Sequence, residues 1–135
     1  MKVQKVNRRN VKPEPFVGRD VRALVGKDCA IPAEKLSLVV TTFPIGGVQK
    51  PVHAHITAEE VIYVVQGQGE VWVDGSTLTI GPEDVILILP GTRHTVKNTG
   101  NEELVLVCAF STCDFRKDRE NYDELCPYCD DKGGC

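Results

Sequence analysis

Turn signals interrupt this chain so often that no long helix fits between them. Runs rich in Val, Leu, Ile, Thr and aromatic residues occupy 21–25, 36–43, 61–65, 71–73, 77–80, 85–89 and 103–110, with Gly, Pro, Asn or Asp in the gaps. Asp74-Gly75 between two such runs is a hairpin signal, and Gly81-Pro82 and Pro90-Gly91 punctuate the next two. With the stretches around His53 and His94 added, the chain divides into about nine short strands, the pattern of an all-β sandwich or barrel. A length of 135 residues, 41% of them hydrophobic, suits one domain with a real core.

The chemistry-bearing residues fall inside this strand pattern. Gly47 is followed after five residues by His53, Ala54 and His55, then after four more by Glu60, and after six more by Gly67. On an extended strand side chains repeat every second residue, so His53 and His55 project to one face and both imidazoles reach one ion. Pro51 just ahead of them argues against a helix at this point. Glu60 opens the next apolar run and approaches the same ion from another side. A further imidazole comes from His94, three residues after Gly91 and four before Asn98. All three histidines of the chain are thereby used.

These residues resemble the two motifs of the cupin superfamily. The first, G(x)5HxH(x)3,4E(x)6G, is matched in full by Gly47, His53, His55, Glu60 and Gly67, and the Gly67 spacing selects Glu60 over Glu59. The second, G(x)5PxG(x)2H(x)3N, is matched at Gly91, His94 and Asn98. It departs at Glu83, which stands at the first glycine position, and at Leu89, which stands at the proline position with Pro90 one residue late. The resemblance covers residues 16–111. It implies a jelly-roll barrel of the small single-domain kind, a site inside it, and a homodimer formed through the barrel edges.

Three neutral imidazoles and one carboxylate suit a divalent Fe, Mn, Ni, Co, Cu or Zn ion with open positions for a substrate. The strand runs carry no second carboxylate poised as a proton donor, because Glu70, Asp74, Glu102 and Glu103 stand at strand ends. Metal-centred oxidation needs fewer protein acids than decarboxylation or epimerisation, which favours a dioxygenase-like enzyme on a small, partly apolar molecule. The alternatives are a non-catalytic metal-binding or ligand-sensing domain and a sugar isomerase or epimerase. Phe43, Tyr63 and Trp72 are candidate pocket aromatics, with core packing as their alternative.

The flanks read differently. Residues 1–15 form a basic arm with Lys2, Lys5, Arg8, Arg9 and Lys12 and a solvated character. A net charge of -3 gives no general attraction to nucleic acid, no apolar run reaches the ~20 residues a membrane span needs, and no secretory signal is evident, so a cytoplasmic protein is expected. In the tail, 112–135, Phe115, Tyr122 and Leu125 share helical spacing, which predicts a short helix capped by Ser111 or Thr112. Cys113, Cys126, Cys129 and Cys135 are candidate ligands of a second, structural zinc or iron, with free thiols as the alternative.

Overall fold

The computed structural model describes residues 2–125, 127 and 128. Among them eleven strands form two antiparallel sheets: β1 (Glu14–Phe16), β2 (Arg19–Val25), β3 (Ser37–Phe43), β4 (Val52–Ala54), β5 (Glu60–Gln66), β6 (Gly69–Val73), β7 (Ser76–Ile80), β8 (Val85–Ile88), β9 (His94–Asn98), β10 (Leu104–Phe110) and β11 (Glu120–Tyr122). The first sheet runs β1-β2-β3-β10-β5-β8 and the second β11-β4-β9-β6-β7. Together they make the all-β jelly-roll barrel expected from the turn pattern. In the basic arm, residues 8–10 form a single 3-10 turn with Asn7 accepting the Arg9 N–H, and the sheet begins at Glu14.

The core lies between the two sheets and follows the two-residue period of the strands. Glu60, Ile62 and Val64 of β5 point inward, while Val61, Tyr63 and Val65 stand at least two-fifths exposed on the outer face. The near-continuous apolar run 61–65 reads by itself as a strand buried on both faces, but among the described residues nothing covers its outer side. Phe43, Val64, Val71 and Leu104 are wholly enclosed, each contributing about 1.5–3 kcal/mol by leaving water.

Tight turns close the barrel. Gly67 sits at φ +91, and a Cβ there would lie 2.5 Å from the Glu103 carbonyl oxygen, so glycine is required twice over. At Glu83 the backbone also adopts a left-handed φ of 74. The turn therefore keeps the conformation that the motif's glycine serves, with a bulkier residue occupying it.

The tail differs from the sequence expectation. Residues 114–118 make a single turn, in which the Lys117 and Asp118 N–H groups reach the Asp114 carbonyl, and the chain then extends into β11 against β4. No helix forms there among the described residues. Tertiary bonds take its place: the Asp118 carboxylate accepts from the Thr57 N–H, the Thr57 hydroxyl and the Ala58 N–H. A segment this short starts no helix unaided, because the first turn fixes several residues for one hydrogen bond.

Candidate metal centre

Strand register sets the site. His53 on β4 and His94 on β9 are direct cross-strand partners, which places their side chains next to each other on the inner face. His55 follows two residues after His53, just past the end of β4. The ring centroids lie 4.4 Å apart for His53 and His94, 5.1 Å for His53 and His55, and 5.4 Å for His55 and His94. One ring nitrogen from each histidine falls within 4.8 Å of the others. Glu60 enters from β5 on the opposite sheet, its Oε1 3.2 Å from His55 Nε2 and 3.3 Å from His94 Nε2. All four side chains are buried.

The outer nitrogens of the three rings meet backbone carbonyls. His94 Nδ1 faces Thr92 O at 2.9 Å, His55 Nδ1 faces Asp118 O at 3.1 Å, and His53 Nδ1 faces Pro51 O at 3.4 Å. A carbonyl only accepts, so each Nδ1 carries a proton, which makes the three Nε2 atoms the ones that would turn to a bound ion. Burial would raise the Glu60 carboxyl, yet the hydrogen bonds and charges of His55 and His94 hold it down to about 2. Burial, then the charges of His94 and Arg119, drive His53 well below its usual value. For His55 burial acts downward, but the bond to Glu60 outweighs it and the shift is upward. This donor set, with its outer hydrogen bonds in place, fits a divalent transition-metal ion.

Beside the centre lies a small cavity of ≈ 40 Å³ that opens to solvent on one side. Phe43 lines it, as do His53, Glu60 and His94. Tyr63 stands on the outer face, and Trp72 on β6 is outside the lining. Three lining groups, Arg19, Arg119 and Cys108, are titratable and belong to none of the four centre-facing side chains. Arg19 was legible in principle, because it belongs to the inward series Arg19, Val21, Ala23 of β2. Arg119 had no such signal, since its position depends on the pairing of β11 with β4.

The second metal site expected at the cysteines has no support. Among the described residues Cys113 has no cysteine partner, and its carbonyl accepts from the Lys27 N–H. Cys126, Cys129 and Cys135 lie outside the described residues.

Two antiparallel sheets, with three histidines and a glutamate between them, make a β-barrel with a candidate metal centre. Residues 39–110 match the cupin domain family, and the chain belongs to that family. An uncharacterized protein of Methanocaldococcus jannaschii is 30% identical over 100 residues, 72% of this chain and 78% of that one. The polyketide cyclase RemF of Streptomyces resistomycificus is 25% identical with a TM-score of 0.72, covering 88% of this chain and 84% of its own. A predicted oxalate decarboxylase of Thermotoga maritima shares the fold at 22% identity and a TM-score of 0.71, with 81% and 99% covered. No helix of the described residues is long and apolar enough to cross a membrane.

Proposed function

We propose that this cupin is a metal-dependent enzyme carrying out oxygen-dependent oxidation, dioxygenase-like, of a small and partly apolar molecule. The ion would be held by His53, His55, His94 and Glu60. When bound, a divalent ion supplies Lewis-acid activation and, as iron, redox chemistry toward dioxygen.

One observation carries the choice of oxidation: among the described residues lining the cavity, none beyond the centre is suited to act as a base. Arg19 and Arg119 stay cationic at neutral pH. Burial pushes the Cys108 thiol well above its usual value, with the Glu60 charge adding to it, so it stays protonated. Isomerisation and epimerisation require a group that takes a proton from carbon, and the cavity provides no spare one. The walls exclude water through Phe43, Ile62, Val96 and Leu106, which suits an apolar substrate body.

Protein purified anaerobically, analysed for metal and then loaded with iron, is screened for oxygen uptake with catechol-like, β-diketone and thiol substrates. Uptake that depends on His94 supports the reading. Absence of uptake at full iron loading favours a non-catalytic binding domain, and turnover that persists without oxygen favours an isomerase or a ring closure of the kind named for the polyketide cyclase neighbour.

The protein is further proposed to be a homodimer. Val61, Tyr63 and Val65 of β5 and Val85 and Leu87 of β8 form an exposed apolar face, and β8 is an edge strand whose outer hydrogen-bonding groups pair with no strand among the described residues. An edge of this kind is self-complementary about a two-fold axis, so a second copy is the partner it fits. Sedimentation of Val61→Lys with Leu87→Lys tests this: the double variant sediments as a monomer, whereas a monomeric wild type refutes it.

A further inference from the structure

Arg19 is 5% exposed, deeper than almost any arginine in a soluble domain. Its Nη1 donates to the Val17 carbonyl at 2.9 Å, and its guanidinium lies over the Phe16 ring, 5.1 Å from the centroid. Those contacts use one of five N–H donors and no counter-charge. Arg119 also lines the cavity, and its Nε donates to Asn121 at 2.7 Å. Among the described residues neither guanidinium has a carboxylate within 4.0 Å. Burial first, and then the charge of Arg119, press Arg19 down to about 10, so the two cations destabilise each other.

A buried charge without a partner costs several kcal/mol, and two of one sign in a cavity cost more. Glu60 offsets part of this, but a bound cation draws on that same carboxylate. The cavity therefore has a large positive excess when it is loaded. Arg119 marks the way in, because it, Phe16 and Phe115 border both this cavity and a groove on the outside of the barrel. Gln49 adds a third under-used group: among the described residues its buried Oε1 has no hydrogen-bond partner, and the residue lines the same cavity. The rest of the wall is mainly aromatic and aliphatic.

We propose that the natural ligand is a small carboxylate with an apolar body, its carboxylate gripped by Arg19 and Arg119 and its body against the phenylalanines beside the metal centre. The planar guanidinium fork matches a carboxylate with two parallel hydrogen bonds. One negative charge on an apolar frame suits these walls better than a doubly charged phosphate. Gln49 accepts a hydroxyl when the ligand carries one. This assignment names the substrate class of the enzyme proposed above and rests on that reading for the chemistry, but its recognition of charge stands on the arginines alone.

The test is calorimetric titration of propionate, benzoate, 3-phenylpropionate and mandelate, each beside its amide, into the full chain with and without Zn(II). In the wild type at least one acid binds roughly tenfold or more tighter than its amide. Arg19→Met brings acid and amide to parity, Arg119→Gln weakens the acid alone, and Arg19→Lys restores part of the preference. The melting temperature of metal-free Arg19→Met equals or exceeds that of the wild type, because an unpaired buried charge has gone. Parity in the wild type, absence of binding by every acid, inorganic phosphate competing as strongly as the best acid, or a marked loss of stability in Arg19→Met would each overturn the proposal. If Zn(II) fails to bind while the acids keep their preference, the metal-enzyme reading fails and this one stands. If Zn(II) binds and no acid is preferred, the reverse holds.

Discussion

Replacing Asn98 with alanine tests whether the last residue of the second motif belongs to the chemistry or to the scaffold. Its side chain is 1% exposed. The amide NH2 donates to the carbonyls of Phe43 and Pro44 at 3.1 Å each and of Glu102 at 2.8 Å, and Oδ1 accepts the Gly100 N–H at 3.0 Å. Asn98 thereby ties the end of β9 to the end of β3 and to the loop before β10, on the same inner face as the ion-facing His94 but at the opposite end of the strand. Two hydrogens shared over three acceptors, plus one accepted bond, amount to about three hydrogen bonds at about 1 kcal/mol each. Asn98→Ala is thus expected to lose about 3 kcal/mol, a large share of the ~5–15 kcal/mol that holds a domain. In urea unfolding with m near 1–3 kcal/mol/M, the midpoint falls by about 1–3 M at unchanged slope. Asn98→Asp, which keeps Oδ1 but turns a carboxylate onto three carbonyl oxygens, is expected to cost at least as much. Metal affinity of the folded variant stays at the wild-type level. A loss below about 1 kcal/mol, or an aspartate variant more stable than the alanine one, refutes the scaffold role.

Removing an imidazole acts on the ion instead. His94→Ala is expected to weaken divalent-ion binding by roughly a hundredfold or more, since loss of a mere supporting partner already costs about 10–100-fold, and competition against a chromophoric chelator reads it. Asp118→Ala removes three hydrogen bonds to residues 57 and 58 and is expected to cost about 1–2 kcal/mol in chemical denaturation, with a weaker hold on His55 visible in the same chelator assay. Glu83→Gly relieves a left-handed backbone and is expected to raise stability by about 0.5–1 kcal/mol, the gain being trimmed by the freer unfolded chain; a destabilised variant shows the side chain matters more than the strain.

What could be read from residues alone was whatever depends on short-range periodicity. The two-residue spacing of His53 and His55 survives into the structure because β4 is extended, and Glu60 is reached by the spacing of one turn and the start of β5. The departure at Glu83 was visible as a missing glycine, and only the backbone angle shows that the turn nevertheless keeps its shape. Where long-range contacts decide, sequence spacing misleads. Phe115, Tyr122 and Leu125 have the period of a helix, yet residues 120–122 pair with a strand more than sixty positions earlier. Arg119 gains its place through that same pairing, and the outer nitrogen of His55 finds a carbonyl in Asp118 for the same reason. Arg19 hid in a strand whose inward series was drawn two residues too late.

Arg19 and Arg119 both stand outside residues 39–110, the span shared with the family, one before it and one after. The four centre-facing side chains fall inside that span, while the proposed carboxylate clamp is assembled from segments before and after it. Substitutions confined to these flanks would leave the four centre-facing residues in place and still change the ligand. Kinship scored over the shared middle says little about what such a protein consumes.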